Sequence, residues 1–403
     1  MRLSKFTKIL LPLIVAALNI MIIIFPRESL AAARDGLLLW AQNVLPGILP
    51  FVIGANILMA LGAANFLGEL LSPIMRRVFK VPGIGGFALA IGLMSGYPIG
   101  TKVVCEMRAD GQLSRGEAQR LVSFTSNAGP LFILGAVAAG MFASRPLGYL
   151  MLTAHYLGAL TVGFIMRFYK VNGERMQKNI EDKSFPLHVR AFRAMDATRH
   201  KGNQSFGAIF GQSVKNTVET MLIIGGFIVL FAVISTILEL SGVFYALSTI
   251  LAPILALLGI SETHHTQIFA GLIEMTNGIN MLSQHGISPQ AVVLATAIIS
   301  FGGLSILFQS INFISKTDIS VPIFALCKLA HGIFAGIYAA ILHPFFAAAI
   351  ESEHAVTVYS HGVASRFVQS SSYFVSAIII MLIVSVLVMV TKAVTRAVRG
   401  QAR

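Results

Sequence analysis

Apolar residues fall along this chain in long runs, and the runs are of two kinds, clean and interrupted. Clean runs close to the length that crosses a bilayer core of roughly 30 Å occupy residues 9–25, 147–168, 219–240, 321–350 and 373–391, with a shorter one at 243–259. Each predicts a helix. Residues 37–62 predict a further span that carries Pro46 and Pro50, and residues 63–79 an amphipathic interfacial helix. The interrupted runs are different. Residues 85–94 are too few to span and stop at Ser95-Gly96-Tyr97-Pro98, which predicts a re-entrant segment followed by a polar hairpin over 101–119. Residues 121–142 are long enough to cross, but Ser123, Thr125, Ser126, Asn127, Gly129 and Pro130 split them. In the second half, 268–273 is again short, and 291–308 is a long run holding Ser300 and Ser305.

Backbone opened at membrane depth must face protein or water, because hydrocarbon offers it no hydrogen bond. Secondary transporters use such broken helices to present half-helix N-termini, unwound carbonyls and small polar side chains to a solute. Gly, Ser and Thr also serve simply to bring membrane helices close together. Any one of these residues reads more readily as packing, whereas their clustering at two breaks points to a site.

Composition sets the class: of 403 residues 56% are hydrophobic and 12% charged, with mean hydropathy +0.79. The fold class is all-α, a polytopic protein of the cell membrane whose first partner is the lipid bilayer. A formal charge of +13 would suit nucleic acid, but the basic residues sit in short segments flanking apolar runs, where they act as topology signals. No nucleic-acid partner is expected. Arg2, Lys5 and Lys8 place the N-terminus in the cytoplasm, and Ala31, Ala32 and Ala33 leave open a cleavable signal peptide, although the length of the run favours an uncleaved anchor. Arg76, Arg77 and Lys80, then Arg167, Lys170, Arg175 and Lys178, mark two more cytoplasmic segments. The second opens a basic loop that reads as a solvated linker near anionic lipid. Around 351–371 only Arg366 is basic, so that loop belongs outside, and Lys392, Arg396, Arg399 and Arg403 return the C-terminus to the cytoplasm. Cys105 and Cys327 stand in unrelated contexts and support neither a disulfide nor a cysteine metal site.

The two halves repeat. Ser72-Pro73 matches Ala252-Pro253; Gly92-Leu93 before Ser95-Gly96-Tyr97 matches Gly271-Leu272 before Glu274, Thr276, Asn277 and Gly278; Ser123-Phe124 matches Ser300-Phe301. The charge pattern has the first copy starting from outside and the second from inside, which makes the expected topology inverted. The organisation is then an anchor helix (1–36), a first repeat (37–169), a basic cytoplasmic loop (170–217), a second repeat (218–350), an external loop (351–372) and a final helix with a basic tail (373–403).

Three stretches carry a family resemblance: Val81-Pro82-Gly83-Ile84-Gly85-Gly86-Phe87; Gly92-Leu93-Met94-Ser95-Gly96-Tyr97-Pro98-Ile99-Gly100; and the run from Leu121-Val122-Ser123-Phe124-Thr125-Ser126-Asn127-Ala128-Gly129-Pro130 through Leu131-Phe132-Ile133-Leu134-Gly135-Ala136. With Gly271-Leu272-Ile273-Glu274-Met275-Thr276, they resemble the YlbJ-type sporulation integral membrane proteins, built from two nucleoside-recognition or Gate domains. That resemblance implies two inverted Gate-like repeats with re-entrant or broken helices and a place in the membrane around the forespore. It also implies movement of dipicolinic acid. The basic loop at 170–217 is the part that matches least well.

Dipicolinate is a planar aromatic dianion at neutral pH, so a site for it needs helix N-termini, hydroxyls, amide donors and a cation. The candidates are Ser95, Gly96, Tyr97, Thr101, Lys102, Ser123, Thr125, Ser126, Asn127 and Gly129 in the first copy. In the second they are Glu274, Thr276, Asn277, Ser300 and Ser305, with Gln309 and Asn312 beyond. Lys102 either supplies the positive charge or snorkels to the interface. Glu274 either relays a proton or holds a coupling ion, H+ or Na+, or else accepts hydrogen bonds in a packed break. The histidines, His155, His264, His265, His331 and His343, read as interfacial or helix-end residues. No His-Glu-x-x-His, phosphate-cradling loop or nucleophile elbow is present, and neither cofactor nor metal is expected. The reading is therefore a transporter rather than an enzyme, with a nucleoside or other small-solute carrier and a gate component of a larger complex as alternatives. A homo-oligomer is compatible with all of these.

Overall fold

In hydrocarbon only helix satisfies its own backbone without partner strands, and helix is the only regular structure among the described residues. The computed structural model describes residues 5–170, 186–202 and 205–355. The expected external loop after 355, the last helix at 373–391 and the first part of the basic loop lie outside them. Residues 1–351 form one compact unit and 352–403 another; the first holds the features described below.

Helix α1 (Lys5–Ile24) covers the first apolar run. It does not stand alone as an anchor: at Phe25 the chain bends by 103° into α2 (Pro26–Leu39). Pro26 favours this start, since its missing N–H is one a helix N-terminus leaves unbonded anyway. α2 continues through a π-helical turn, π1 (Trp40–Val44), into α3 (Leu45–Ala60). The long helix α10 (Phe206–Leu240) runs beside α2 and α3. Gly36 and Gly225 allow the approach, with a Cβ at Gly36 meeting Ala232 and one at Gly225 meeting the Trp40 ring. Trp40 Nε1 then donates to the Met221 carbonyl at 3.0 Å.

The stretch expected to form an interfacial helix folds as α4 (Ala63–Ile74), turned 92° from the helix before it and closed by π2 (Met75–Phe79). Against it lies α9 (Leu187–Gly202). Arg190 Nη2 reaches Glu69 Oε2 at 2.6 Å and Phe192 packs on Phe66 at 5.1 Å. The basic loop is therefore not simply a solvated linker: from 187 it is a docked helix, and α10 begins at Phe206 rather than near 218.

Each half then folds two interrupted helices and one long one. In the first half these are α5 (Gly85–Ser95), α6 (Ile99–Ala109), α7 (Arg115–Thr125), π3 (Leu131–Met141) and α8 (Arg145–Met166). In the second, α11 (Val243–Leu257) carries Pro253 as α4 carries Pro73. It is followed by α12 (His265–Ile273), α13 (Met275–Ser283), α14 (Pro289–Phe301), α15 (Gly303–Ile314) and α16 (Val321–Ala355). Two differences from expectation stand out. The polar hairpin over 101–119 is mostly helix, with Thr101 fully buried in α6. The long run 291–308 is broken at Gly302 and Gly303, whose φ of +89° and +72° suit only glycine well.

Glycines close both hairpins. A Cβ on either Gly92 or Gly100 would collide with the Thr125 carbonyl oxygen, and one on Gly278 would collide with the backbone of Gly271. Around them Phe87, Leu121, Phe124 and Phe324 fill one apolar core, and Ile133, Leu150, Met151, Ile279 and Ile299 another. Among the described residues, four helical stretches are long and apolar enough to cross a membrane, Arg145–Met166, Phe206–Leu240, Pro289–Ile314 (α14 and α15 together) and Val321–Ile350, or up to six spans if each bent pair counts as one.

Polar contacts gather the loops at two ends. At one, Arg167 donates to the Arg77 carbonyl (3.2 Å), Arg120 to the Tyr169 carbonyl (2.7 Å), and Arg108 forks onto Asp318 with two 2.8 Å bonds. Gln119 there exchanges two hydrogen bonds with the Ser320 backbone. At the other, Gln290 ties Gly259 and Ser261, and Gln267 meets His285.

Candidate functional site

The four interruptions, at Gly96–Pro98, 126–129, Glu274 and Gly302, leave backbone outside helix. The first two adjoin: the added Cβ of Gly96 would meet the Gly129 amide, and that of Gly129 the Met94 carbonyl. The last two adjoin as well, since a Cβ on Gly303 would sit 3.1 Å from the Met275 nitrogen. Tyr97 then links the pairs. Its hydroxyl lies 2.6 Å from Met275 Sδ and 3.4 Å from the Ile299 carbonyl. All four breaks thus meet in one region, where α6 packs on α15 and π3 on α13.

Two helices pass behind the breaks and tie them together. From α8, His155 Nε2 accepts from the Ala128 N–H (2.9 Å) while its Nδ1 lies 2.7 Å from Ser300 Oγ. Tyr156 donates to the Leu93 carbonyl at 2.6 Å. From α16, Lys328 Nζ donates to the Ser126 carbonyl (2.8 Å) and lies 3.3 Å from His331 Nδ1, whose Nε2 is 2.9 Å from the His155 carbonyl. Lys328 also sits 5.7 Å from the centre of the Tyr97 ring. His155, His331 and Lys328 are buried, so the expectation that these histidines lie at interfaces or helix ends is corrected. Sequence reasoning misses Lys328 altogether. It lies in a clean apolar run, and its period on α16 carries no mark that distinguishes it from a snorkelling lysine.

Of the sequence candidates, Ser95, Thr101, Thr125, Ser126 and Asn127 are buried, and each has a side-chain oxygen without a partner among the described residues. Gln309 and Ser310 on α15 share this state, Gln309 with both amide atoms unmatched. Such groups cost on the order of 1–3 kcal/mol each if nothing meets them, so their concentration calls for a polar guest or water. Asn127 uses only its amide nitrogen, on the Phe124 carbonyl (2.8 Å). Ser123 is already bonded to the Arg120 carbonyl (2.6 Å) and Ser300 to His155. Ser305 is buried in the first turn of α15, and Asn312 lies farther along, half-buried.

Two candidates take other duties. Lys102 pairs with Glu106 at 3.4 Å, one turn along α6, so its charge is already answered. Glu274 caps α13, accepting from the Thr276 and Asn277 N–H groups at 3.1 and 2.8 Å. A carboxylate at a helix N-terminus is well placed against the dipole; this is the hydrogen-bond-accepting role foreseen as its alternative. Thr276 supplies its backbone to that cap, and the Asn277 side chain reaches out to Ser235 on α10 at 3.0 Å. No cluster of three metal-ligating side chains occurs among the described residues.

A family model described as "Gate: Nucleoside recognition" matches residues 221–320. A solved structure of CNTnw, a single-residue variant in its intermediate 1 state, aligns with 83% of this chain and 86% of its own, at 14% identity and a TM-score of 0.39. The sporulation integral membrane protein YlbJ of Bacillus subtilis (strain 168) is 36% identical over 343 residues, 85% of this chain and 84% of that protein. With this identity across nearly the whole chain, and with a helical, multi-pass organisation and a Gate nucleoside-recognition domain in the second half, the chain belongs to the family of YlbJ-type sporulation integral membrane proteins.

Proposed function

We propose that the protein is a secondary transporter that carries a small anionic solute, of the aromatic dicarboxylate class to which dipicolinate belongs, across the membrane around the forespore. The observation that carries this reading is the meeting of four helix breaks around buried polar atoms that lack partners among the described residues. Discontinuous helices drawn from two halves are where inverted-repeat carriers hold solute. The recurrence of element order supports inversion of the two halves. The α5–α6 hairpin leaves and rejoins the end where Arg77 and Arg108 lie, the α12–α13 hairpin the end where Gln267 and His285 lie, and their tips meet at Tyr97 and Met275.

Purified protein in liposomes tests this through uptake of radiolabelled dipicolinate against uridine and succinate. Saturable dipicolinate uptake, competed by unlabelled dipicolinate and not by uridine, is the expected result. Uptake of uridine alone would move the reading to the nucleoside class that the Gate description names.

A further inference from the structure

We infer that Lys328, rather than Lys102, is the cationic subsite of this protein, and that the group it awaits is a carboxylate of the solute. The inference rests on the transport reading above and names the residue that would recognise charge.

Lys328 is 1% exposed. An ammonium so placed is costly unless an opposite charge or a full set of acceptors meets it. Its partners are the Ser126 carbonyl, His331 Nδ1 and, across 5.7 Å, the face of Tyr97. None carries negative charge, and among the described residues no Asp or Glu pairs with it. The two histidines leave the charge unanswered as well. His155 Nε2 accepts an amide proton, so its own proton is on Nδ1, toward Ser300; His331 Nε2 faces a carbonyl, so its proton is there and Nδ1 accepts from Lys328. Both rings are neutral in this arrangement. Glu274 is committed to the first turn of α13.

An ammonium has three donors, and two are placed. The third has no partner among the described residues, and Ser126 and Asn127, whose side-chain oxygens are also unmatched there, lie in the break that Lys328 contacts. A carboxylate there would supply the missing charge, and the aromatic face of Tyr97 stands beside it. Lys102, by contrast, already has a carboxylate partner in Glu106 at 3.4 Å.

The test uses the full chain in lipid nanodiscs, with binding of radiolabelled dipicolinate measured at pH 7.5. Competition by dipicolinate, its neutral dimethyl ester, succinate, phosphate and uridine is then compared in wild type, Lys328→Met, Lys328→Arg and Lys102→Met. The wild type is expected to prefer dipicolinate over the dimethyl ester by at least about 30-fold, a preference lost in Lys328→Met, partly kept in Lys328→Arg and intact in Lys102→Met. Because the readout is a ratio between two ligands of like shape, a general loss of folded protein does not imitate it. Retention of the preference in Lys328→Met, or its loss in Lys102→Met alone, would overturn the assignment. Succinate or phosphate binding without dipicolinate binding, abolished in Lys328→Met, would overturn the aromatic substrate and keep the subsite. Uridine binding with no anion binding would overturn both.

Discussion

At the scale of single residues, the candidate site separates groups that are spent from groups that are waiting. Asn127, wholly buried, commits its nitrogen to Phe124 and leaves its oxygen unmatched. Asn127→Ala should therefore lower solute affinity about 2- to 150-fold, the equivalent of about 0.5–3 kcal/mol for one or two hydrogen bonds, while yield and monodispersity stay near wild type. An unchanged affinity would remove it from the site. Glu274 is spent on a cap. Glu274→Gln keeps one acceptor and should cost about 1 kcal/mol of stability, in the range of helix-cap losses, with the pH profile of transport unmoved; a shifted profile would make it the coupling acid instead. The sequence exposed the waiting groups in the first half because Ser95, Thr125, Ser126 and Asn127 interrupt an apolar run, and an interruption shows without a structure. Lys328, His155 and His331 interrupt nothing. They stand on uninterrupted helices, where only the packing of α8 against α14 and of α16 behind the breaks reveals that they face inward.

At the scale of elements, the matched glycines set how the hairpins close. Gly92 on α5 and Gly100 on α6 both lie against the Thr125 carbonyl, as Gly271 and Gly278 lie against each other. Gly92→Val should destabilise the detergent-solubilised protein by several degrees in a thermal melt, since the obstacle is backbone rather than a movable side chain, whereas Gly207→Val, with open space around it, should not. Gly92 and Gly271 were legible as matching positions before their role was visible, because the spacing from Gly-Leu to the following break is kept, whereas the part played by Gly100 was not. The bend at Phe25 and the docking of α9 were not legible. A proline marks where a helix can begin but not the angle of arrival, and the basic residues of α9 outweigh its apolar face in any charge count.

The Arg108–Asp318 fork joins α6 to the turn before α16 at a solvent-facing end. The guanidinium bonded to it holds the Asp318 carboxyl below the usual carboxylate range. Its contribution is therefore complete above about pH 4, the ordinary aspartate value, and is lost as pH falls through the lower value of the folded state. With the Asp318 side chain 45% exposed, solvent screening keeps the effect under about 1 kcal/mol. Asp318→Asn should flatten the acid limb of a stability–pH curve and leave the neutral region nearly unchanged.

For the whole molecule, the charge pattern and the geometry bear on the same question from different sides. Arg77, Arg108, Arg120 and Arg167 meet at one end, which positive-inside bias assigns to the cytoplasm. Single-cysteine labelling on a background lacking Cys105 and Cys327 checks the orientation. With the protein expressed in the plasma membrane of a non-sporulating bacterial host, an impermeant reagent on intact cells should label Ser371→Cys and Ser261→Cys but not Ser184→Cys or Lys316→Cys. Labelling of Lys316→Cys with Ser261→Cys protected would turn the molecule over. Ser184 and Ser371 lie outside the described residues, so the pair at 261 and 316 carries the structural part of the test.

His155 has a consequence for how the two halves could part. One imidazole holds the backbone of Ala128 on one side and the hydroxyl of Ser300 on the other, so it works as a latch across the seam. Any excursion that separates the breaks must release the Ser300 side of it, a single neutral hydrogen bond worth about 0.5–1.5 kcal/mol. That is of the order of thermal energy. The latch is stiff enough to align the breaks when shut and weak enough for ordinary thermal agitation to open it. The Tyr97 hydroxyl, bonded to Met275 and the Ile299 carbonyl, and Lys328, bonded to the Ser126 carbonyl, cross the same seam and add to it.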